Sequence, residues 1–327
     1  MFHRSSLANP GNVAPGLEEF DQAWPMSKRV IANRISGPPL VVRKEAALAT
    51  DHVLKIDAGK PSVYGWPGVA LVSDASDSGT KPGCVYDAAI VGLGYVGLPL
   101  CLAFSRAGAR VLGIDVDGVK VASLEKGSSY IKHISDAEVA TAVKERRFAA
   151  TTDFAEAAKA AAVLICVPTP LTANRTPDLS YVESTAHALA PHLRKGHLIV
   201  LESTTYPGTT EDVMRPILEE GSGLVAGRDF HLGFSPERED PGNPRSKLSE
   251  VPKVVGGLTP ACRKRSEDLY RRIVKEVVPV SSCRIAEATK LTENIFRSVN
   301  IALVNELKVI YAEMGIDVWE VINAAAT

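Results

Sequence analysis

The sequence predicts an α/β fold: a doubly wound parallel sheet followed by a long helix. Three observations predict it. Short apolar runs recur and end in small polar residues. The stretches between them carry helical apolar spacing. One glycine-rich turn joins the first run to a helix. Strands that alternate with helices need crossover connections, and these give parallel sheets.

Taken in order, the elements begin at residue 86. DAAIVG is the first strand, GLGYVG the turn and LPLCLAFSRAG the first helix. ARVLGIDVD is the second strand. AAVLICVPTP and HLIVLESTT repeat the pattern, and DFHLGFSPE and PKVVGG add two more short strands. DLSYVESTAHALAPHL and PACRKRSEDLYRRIVKEV have helical spacing. From Ile285 to Met314 the chain has no Gly or Pro. Leu291, Ile295, Val299, Leu303, Leu307 and Ile310 recur there at intervals of three and four, which predicts one long amphipathic helix. GIDVWEVINAAAT starts a further short helix.

Residues 1–84 read differently. Gly and Pro make up 16 of these 84 residues, against 30 of the 243 that follow. Breakers interrupt every incipient helical period, so the expectation is a poorly ordered extension. A small module, or a start of the natural chain near Val85, are the other readings. The expected organisation is therefore an extension over 1–84, a dinucleotide-binding domain over 85–284 and a helical dimerisation segment over 285–327.

Composition narrows the function classes. Of the 327 residues, 45% are apolar and 23% charged, an ordinary globular balance. Thirty-seven basic side chains against 38 acidic ones leave a net charge of −1, so no global field draws the chain to nucleic acid or an anionic membrane. No apolar run reaches the roughly 18 residues of a membrane span, and the first twenty residues lack the apolar core of a secretory signal. Cysteines 84, 101, 166, 262 and 283 form no CxxC pair or disulfide framework, and no His stands at zinc-like spacing from them. These features predict a cytoplasmic, metal-free protein.

The turn carries the first chemistry. Gly92, Gly94 and Gly97 stand at GxGxxG spacing, with Leu93, Tyr95 and Val96 between them. The first glycine permits the tight turn, the second the approach of a pyrophosphate, and the third close helix–strand packing. Free N–H groups at the helix start then face the phosphates. Asp115 ends the second strand, 23 residues after Gly92, where a ribose-binding acid belongs. An acid there favours NAD, because it repels the 2′-phosphate of NADP. The fold is thus Rossmann-type and the cofactor NAD. Lys120, five residues on, reaches either the adenosine end or solvent.

GLGYVGLPL, GIDVD, VPTPLT, ESTTYPGTT, FSPEREDPGN and KLTENIFRSVNIALVNEL follow one another from residue 86 to the end. In that order they resemble the nucleotide-sugar 6-dehydrogenases, the UDP-glucose/GDP-mannose dehydrogenase family. PDLSYVEST, ESTTYPGTT and SPEREDPGN are nearer to the branch acting on UDP-N-acetylglucosamine than to the UDP-glucose branch. The resemblance implies oxidation of a UDP-sugar's primary alcohol to a carboxylate, using two NAD and a cysteine that captures the aldehyde. It implies that Lys290 and Asn294, four apart on one helix face, steady the alkoxide. By spacing alone, a solvated lysine beside an interior amide fits as well. It makes Glu237 the carboxylate that handles the proton on the attacking water. Thr204 helps to hold that water and contacts the cofactor, though a helix start also explains it. Ser203 and Thr169 lie near the cofactor at strand ends. Arg238 pairs with substrate or forms an ordinary ion pair. A second family glutamate has no counterpart, since its place is Pro241.

The resemblance breaks in one respect. The family's nucleophile lies in a glycine-rich GGxC-type motif after the long helix, and none of the five cysteines has that context. The expectation is a portion lacking the UDP-binding C-terminal domain, inactive alone, and homodimeric through the 285–314 helix. A β-hydroxyacid or 6-phosphogluconate-type dehydrogenase also pairs a lysine and an asparagine four apart, but VPTPLT, ESTTYPGTT and SPERE disfavour it. A non-catalytic NAD-binding remnant is the reading from another class.

Overall fold

A computed structural model describes residues 84–237 and 248–326. The extension up to residue 83 and Arg238 lie outside them. The described residues up to Ile316 form one compact unit, and Asp317 onward belongs to a second.

Eight strands make one sheet in the order β3-β2-β1-β4-β5-β6-β7-β8. They are β1 (Ala88–Val91), β2 (Val111–Ile114), β3 (Phe148–Thr151), β4 (Ala162–Ile165), β5 (Leu198–Leu201), β6 (His231–Phe234), β7 (Lys253–Gly257) and β8 (Val277–Pro279). The first six run parallel, and the order reverses between β1 and β4, the switch point where such sheets bind ligands. The main helices are α1 (Gly97–Arg106), α2 (Gly118–Glu125), α3 (Asp136–Lys144), α4 (Ser180–Leu189), α5 (Arg215–Ser222), α6 (Pro260–Tyr270) and α7 (Cys283–Glu313). In the second unit, α8 (Val318–Ala325) is capped by Asp317, whose carboxylate accepts from Trp319 N at 2.8 Å.

The strand period of two assigns every apolar side chain to one of two cores. Ala88, Ile90, Leu164, Leu198 and Val200 join α1, α3 and α6 on one face, around Leu98, Leu102, Phe104, Val139 and Tyr270. Ala89, Val91, Val163, Ile165, Ile199 and Leu201 join α4, α5 and the start of α7 on the other, around Val182, Ala186, Leu218 and Ala286. Burial on both faces is why these strands read as unbroken apolar runs rather than alternating ones.

Three differences from expectation have physical reasons. β7 runs antiparallel to β6, a pairing that needs no crossover helix of the kind parallel neighbours require. β3 and β8, at the two edges, were not anticipated; FAAT is alanine-rich, and VVP ends on a proline that only an edge strand tolerates. The helix expected through residue 277 stops at Tyr270, since Ile273 and Val274 turn into the core and Val277 pairs with β7. Helix α7 is capped by Ser282, whose hydroxyl accepts from Ile285 N at 3.3 Å, and Cys283 is buried in its first turn.

Candidate functional site

The carboxyl ends of β1, β2, β4, β5 and β6 lie on one edge of the sheet, and the predicted residues gather there in two groups. The first surrounds the glycine turn. Gly92 has φ +90°, and a Cβ on it would stand 2.7 Å from the Cys166 carbonyl oxygen. A Cβ on Gly97 would stand 1.8 Å from the Gly92 oxygen, so α1 packs on β1 only with glycine there. A Cβ on Gly94 would meet nothing within 4 Å. Two glycines are thus required by the protein itself, and the third faces open space.

Asp115, buried at the end of β2, braces this turn. Its Oδ2 accepts from Leu93 N at 2.8 Å and its Oδ1 from Asp117 N at 2.9 Å. A carboxylate has about four acceptor sites, so capacity remains for ribose hydroxyls. Lys120 Nζ lies 3.5 Å from Asp115 Oδ2, paired with the acid from the first turn of α2. Tyr95 is exposed, and Val96 caps α1 without a side-chain bond, which leaves the helix start open to an anion. These residues fit a dinucleotide.

The second group lies at the ends of β4 to β7. Thr169 Oγ1 donates to the Thr204 carbonyl at 2.6 Å, and Ser203 Oγ donates to the Val167 carbonyl at 2.7 Å. These bonds lock the β4 and β5 loops together. Thr204 is exposed, and the helical turn Thr209–Met214 is capped by Gly208, so Thr204 is no helix cap. Glu237 is half-buried just beyond β6. Lys290, on the second turn of α7, donates to the Glu237 carbonyl, which brings the long helix onto the strand ends. Asn294 follows one turn later, also half-buried.

Behind them lies a cluster that the sequence reading did not anticipate. The antiparallel register pairs Gly233 with Gly257 and Phe234 with Gly256. Continued by three residues, it sets Lys253 across from Glu237. Lys253 is 3% exposed, with Nζ 2.6 Å from Glu202 Oε2 and 3.4 Å from Glu237 Oε2. Tyr270 donates to Glu202 Oε1 at 2.5 Å, and its ring lies 5.1 Å from Lys253 Nζ. Burial drives Lys253 down, but the two carboxylates outweigh it and hold the ammonium above its ordinary value. Burial raises Glu202 against the pull of Lys253. The sequence did hold a signal: a lysine inside a strand buried on both faces needs charged partners.

Glu287 is a second missed residue. Fully buried on α7, it accepts from Gly208 N at 2.6 Å, Thr210 N at 2.9 Å and Thr210 Oγ1 at 2.7 Å. It thereby ties the β5 loop to the helix that carries Lys290. Four of the five cysteines are withdrawn from solvent or raised in pKa, which disfavours them as nucleophiles. Burial pushes the thiols of Cys101, Cys166 and Cys283 up, and Cys262 is buried in the core.

Residues 87–274 match the NAD binding domain of the UDP-glucose/GDP-mannose dehydrogenase family, and residues 284–327 match its central domain. A UDP-N-acetyl-D-mannosamine dehydrogenase of Escherichia coli (strain K12) is 40% identical over 244 residues, covering 72% of this chain and 57% of that protein. A UDP-N-acetyl-D-glucosamine 6-dehydrogenase of Pseudomonas aeruginosa is 39% identical over 240 residues, covering 73% and 56%. Among solved structures, a UDP-D-ManNAc dehydrogenase from Pyrococcus horikoshii superposes with a TM-score of 0.69 at 34% identity, covering 73% of this chain and 57% of that one. The chain spans a little over half the length of these relatives.

Proposed function

We infer the activity from membership: the chain belongs to the UDP-glucose/GDP-mannose dehydrogenase family, and on that premise we propose that it serves NAD-dependent oxidation of the primary alcohol of a UDP-N-acetylhexosamine. UDP-N-acetylglucosamine is the favoured substrate, and UDP-N-acetylmannosamine is the alternative named by relatives of equal similarity. One observation carries the reading: the bond from Lys290 to the Glu237 carbonyl joins α7 to the same sheet edge that bears the glycine turn.

NAD, when bound, accepts the hydride that leaves the sugar's C6. The chain's own residues handle the rest. The alcohol must also lose a proton, and the negative charge that grows on its oxygen falls to Lys290 and Asn294, donors one helical turn apart. Glu237, with Thr204, orders the water and takes its proton in the hydrolytic step. The adenosine ribose falls to Asp115, and the cofactor's nicotinamide side to Thr169, Ser203 and Thr204. The second oxidation goes through a thiol adduct of the aldehyde; none of the five cysteines stands in a GGxC context, and burial pushes the thiols of Cys101, Cys166 and Cys283 up. That thiol comes from outside the residues 84–326. Homodimerisation falls to α7, where Ile295 and Val299 are 54% and 61% exposed on the apolar stripe. The setting proposed is the cytoplasm; no helix among the described residues is long and apolar enough to cross a membrane.

The test is stoichiometric. The 327-residue chain is incubated with NAD and each of UDP-N-acetylglucosamine, UDP-N-acetylmannosamine and UDP-glucose, and products are identified by mass. Two NADH and one uronic acid per sugar at about 1 per second would overturn the assignment of the missing thiol. No acid from this chain, but acid from a protein extended through a GGxC motif and lost again with Lys290→Ala, is the expected result.

A further inference from the structure

We propose that the loop Ser128–Ile134 is the second wall of the dinucleotide site, with Lys132 and His133 holding the cofactor's pyrophosphate from the side opposite the glycine turn. The inference rests on the reading of that turn as the NAD cradle and adds two residues that no motif there contains.

The need comes from charge. A dinucleotide brings two negative charges to the turn, and a helix start offers only about half an opposite charge. Residues 92–105 contain no cation at all. Lys120, which the sequence places nearest, is paired with Asp115 at 3.5 Å.

The loop is built to supply what is missing. Tyr130 donates its hydroxyl to the carbonyl of Leu93, inside the glycine turn itself. Ile131 and Ile134 are buried in the core beside α1. Ser129 N donates to Asp136 Oδ1 at 2.7 Å, Ser128 N to the Ser123 carbonyl at 3.0 Å, and Ile134 N to the Ile131 carbonyl at 3.0 Å. Both ends are therefore fixed, and only Lys132 and His133 of this loop are exposed. The imidazole of His133 then stacks on Tyr95, with ring centroids 6.1 Å apart and planes at 27°. Tyr95 is 61% exposed and directly follows Gly94, the glycine with open space before it. A stack between two exposed rings buries little surface. What it does is hold an N–H donor and a neighbouring ammonium beside the place where the phosphates pass, and charge-assisted bonds to phosphate are the strong ones.

The experiment is a calorimetric titration of the 327-residue chain with NAD at low and high salt, with melting followed by circular dichroism. The variants are Lys132→Ala, Lys132→Arg, His133→Phe and the double Lys132→Ala/His133→Ala. The double variant should lose about tenfold in NAD affinity and show a flatter salt dependence. His133→Phe keeps an aromatic stack but has no donor, and should lose about threefold; Lys132→Arg should keep full affinity. The melting temperature of the single variants should not move, which separates lost contact from lost fold. A double variant within twofold of the unmodified chain would overturn the proposal, as would full affinity in His133→Phe, which would make the stack purely structural. Weakened binding of UDP-N-acetylglucosamine with NAD unchanged would assign the loop to the sugar nucleotide and also overturn it. If the unmodified chain binds no NAD, the cradle reading fails first.

Discussion

The two halves of the site are built by opposite means. The proposed cofactor half is made of backbone and contiguous sequence: a glycine turn, a helix start and one acid 23 residues on. The proposed chemical half is made of side chains far apart in the sequence, Glu202, Glu237, Lys253, Tyr270 and Lys290; β7, reversed beside β6, brings Lys253 between Glu202 and Glu237, and Tyr270 and Lys290 reach them from α6 and α7. Steric exclusion dominates the first half and buried charge the second. A substitution should therefore fail for different reasons in each.

The largest expected effect lies in the buried cluster. Lys253→Met strands Glu202 in the core without its counter-charge, and loss of one member of a buried pair costs about 3–5 kcal/mol. Urea unfolding measures it. The pH dependence carries a sign. The folded-state value of Lys253 lies above its ordinary 10.5, so its contribution is complete below that pH and is lost as pH climbs through the folded value. The stability gap between the unmodified chain and Lys253→Met should be flat from about pH 7 to 10 and narrow above that.

The next effect separates the glycines. Gly97→Ala forces a methyl into the Gly92 carbonyl and should cost about 1–3 kcal/mol along with NAD binding. Gly94→Ala meets open space, so stability should stay within about 0.5 kcal/mol while NAD binding falls more than about tenfold. A stable Gly94→Ala chain with normal NAD affinity would break the distinction between structural and ligand-facing glycines.

A smaller effect tests the joint between the halves. Glu287→Gln keeps the shape but replaces a charged acceptor of three bonds by a neutral one, which should cost about 1–2 kcal/mol in thermal or urea unfolding. No change would mean that the β5 loop holds its place without α7.

What the sequence made legible follows the same division. β1, β2, β4 and β5, buried on both faces, announce themselves as apolar runs, and the glycine turn with Asp115 is a local pattern readable at fixed spacing. Lys290 and Asn294 were readable as a helical pair, though only a resemblance gave them a role. Glu202, Lys253 and Glu287 were not found, because their meaning depends on strand register and on partners 51 to 79 residues away. The edge strands β3 and β8 escaped for a related reason: at a sheet edge, packing demands less of a sequence, so FAAT and VVP carry little pattern.

We propose that this edge of the sheet is an NAD site set by Asp115. It is tested most directly by titrating the unmodified chain and Asp115→Ala with NAD and with NADP in a calorimeter. The unmodified chain should bind NAD at least about tenfold tighter than NADP, since a carboxylate at the ribose accepts from the 2′-hydroxyl and repels a 2′-phosphate, and Asp115→Ala should weaken NAD and narrow the difference. Equal or tighter binding of NADP by the unmodified chain would contradict it.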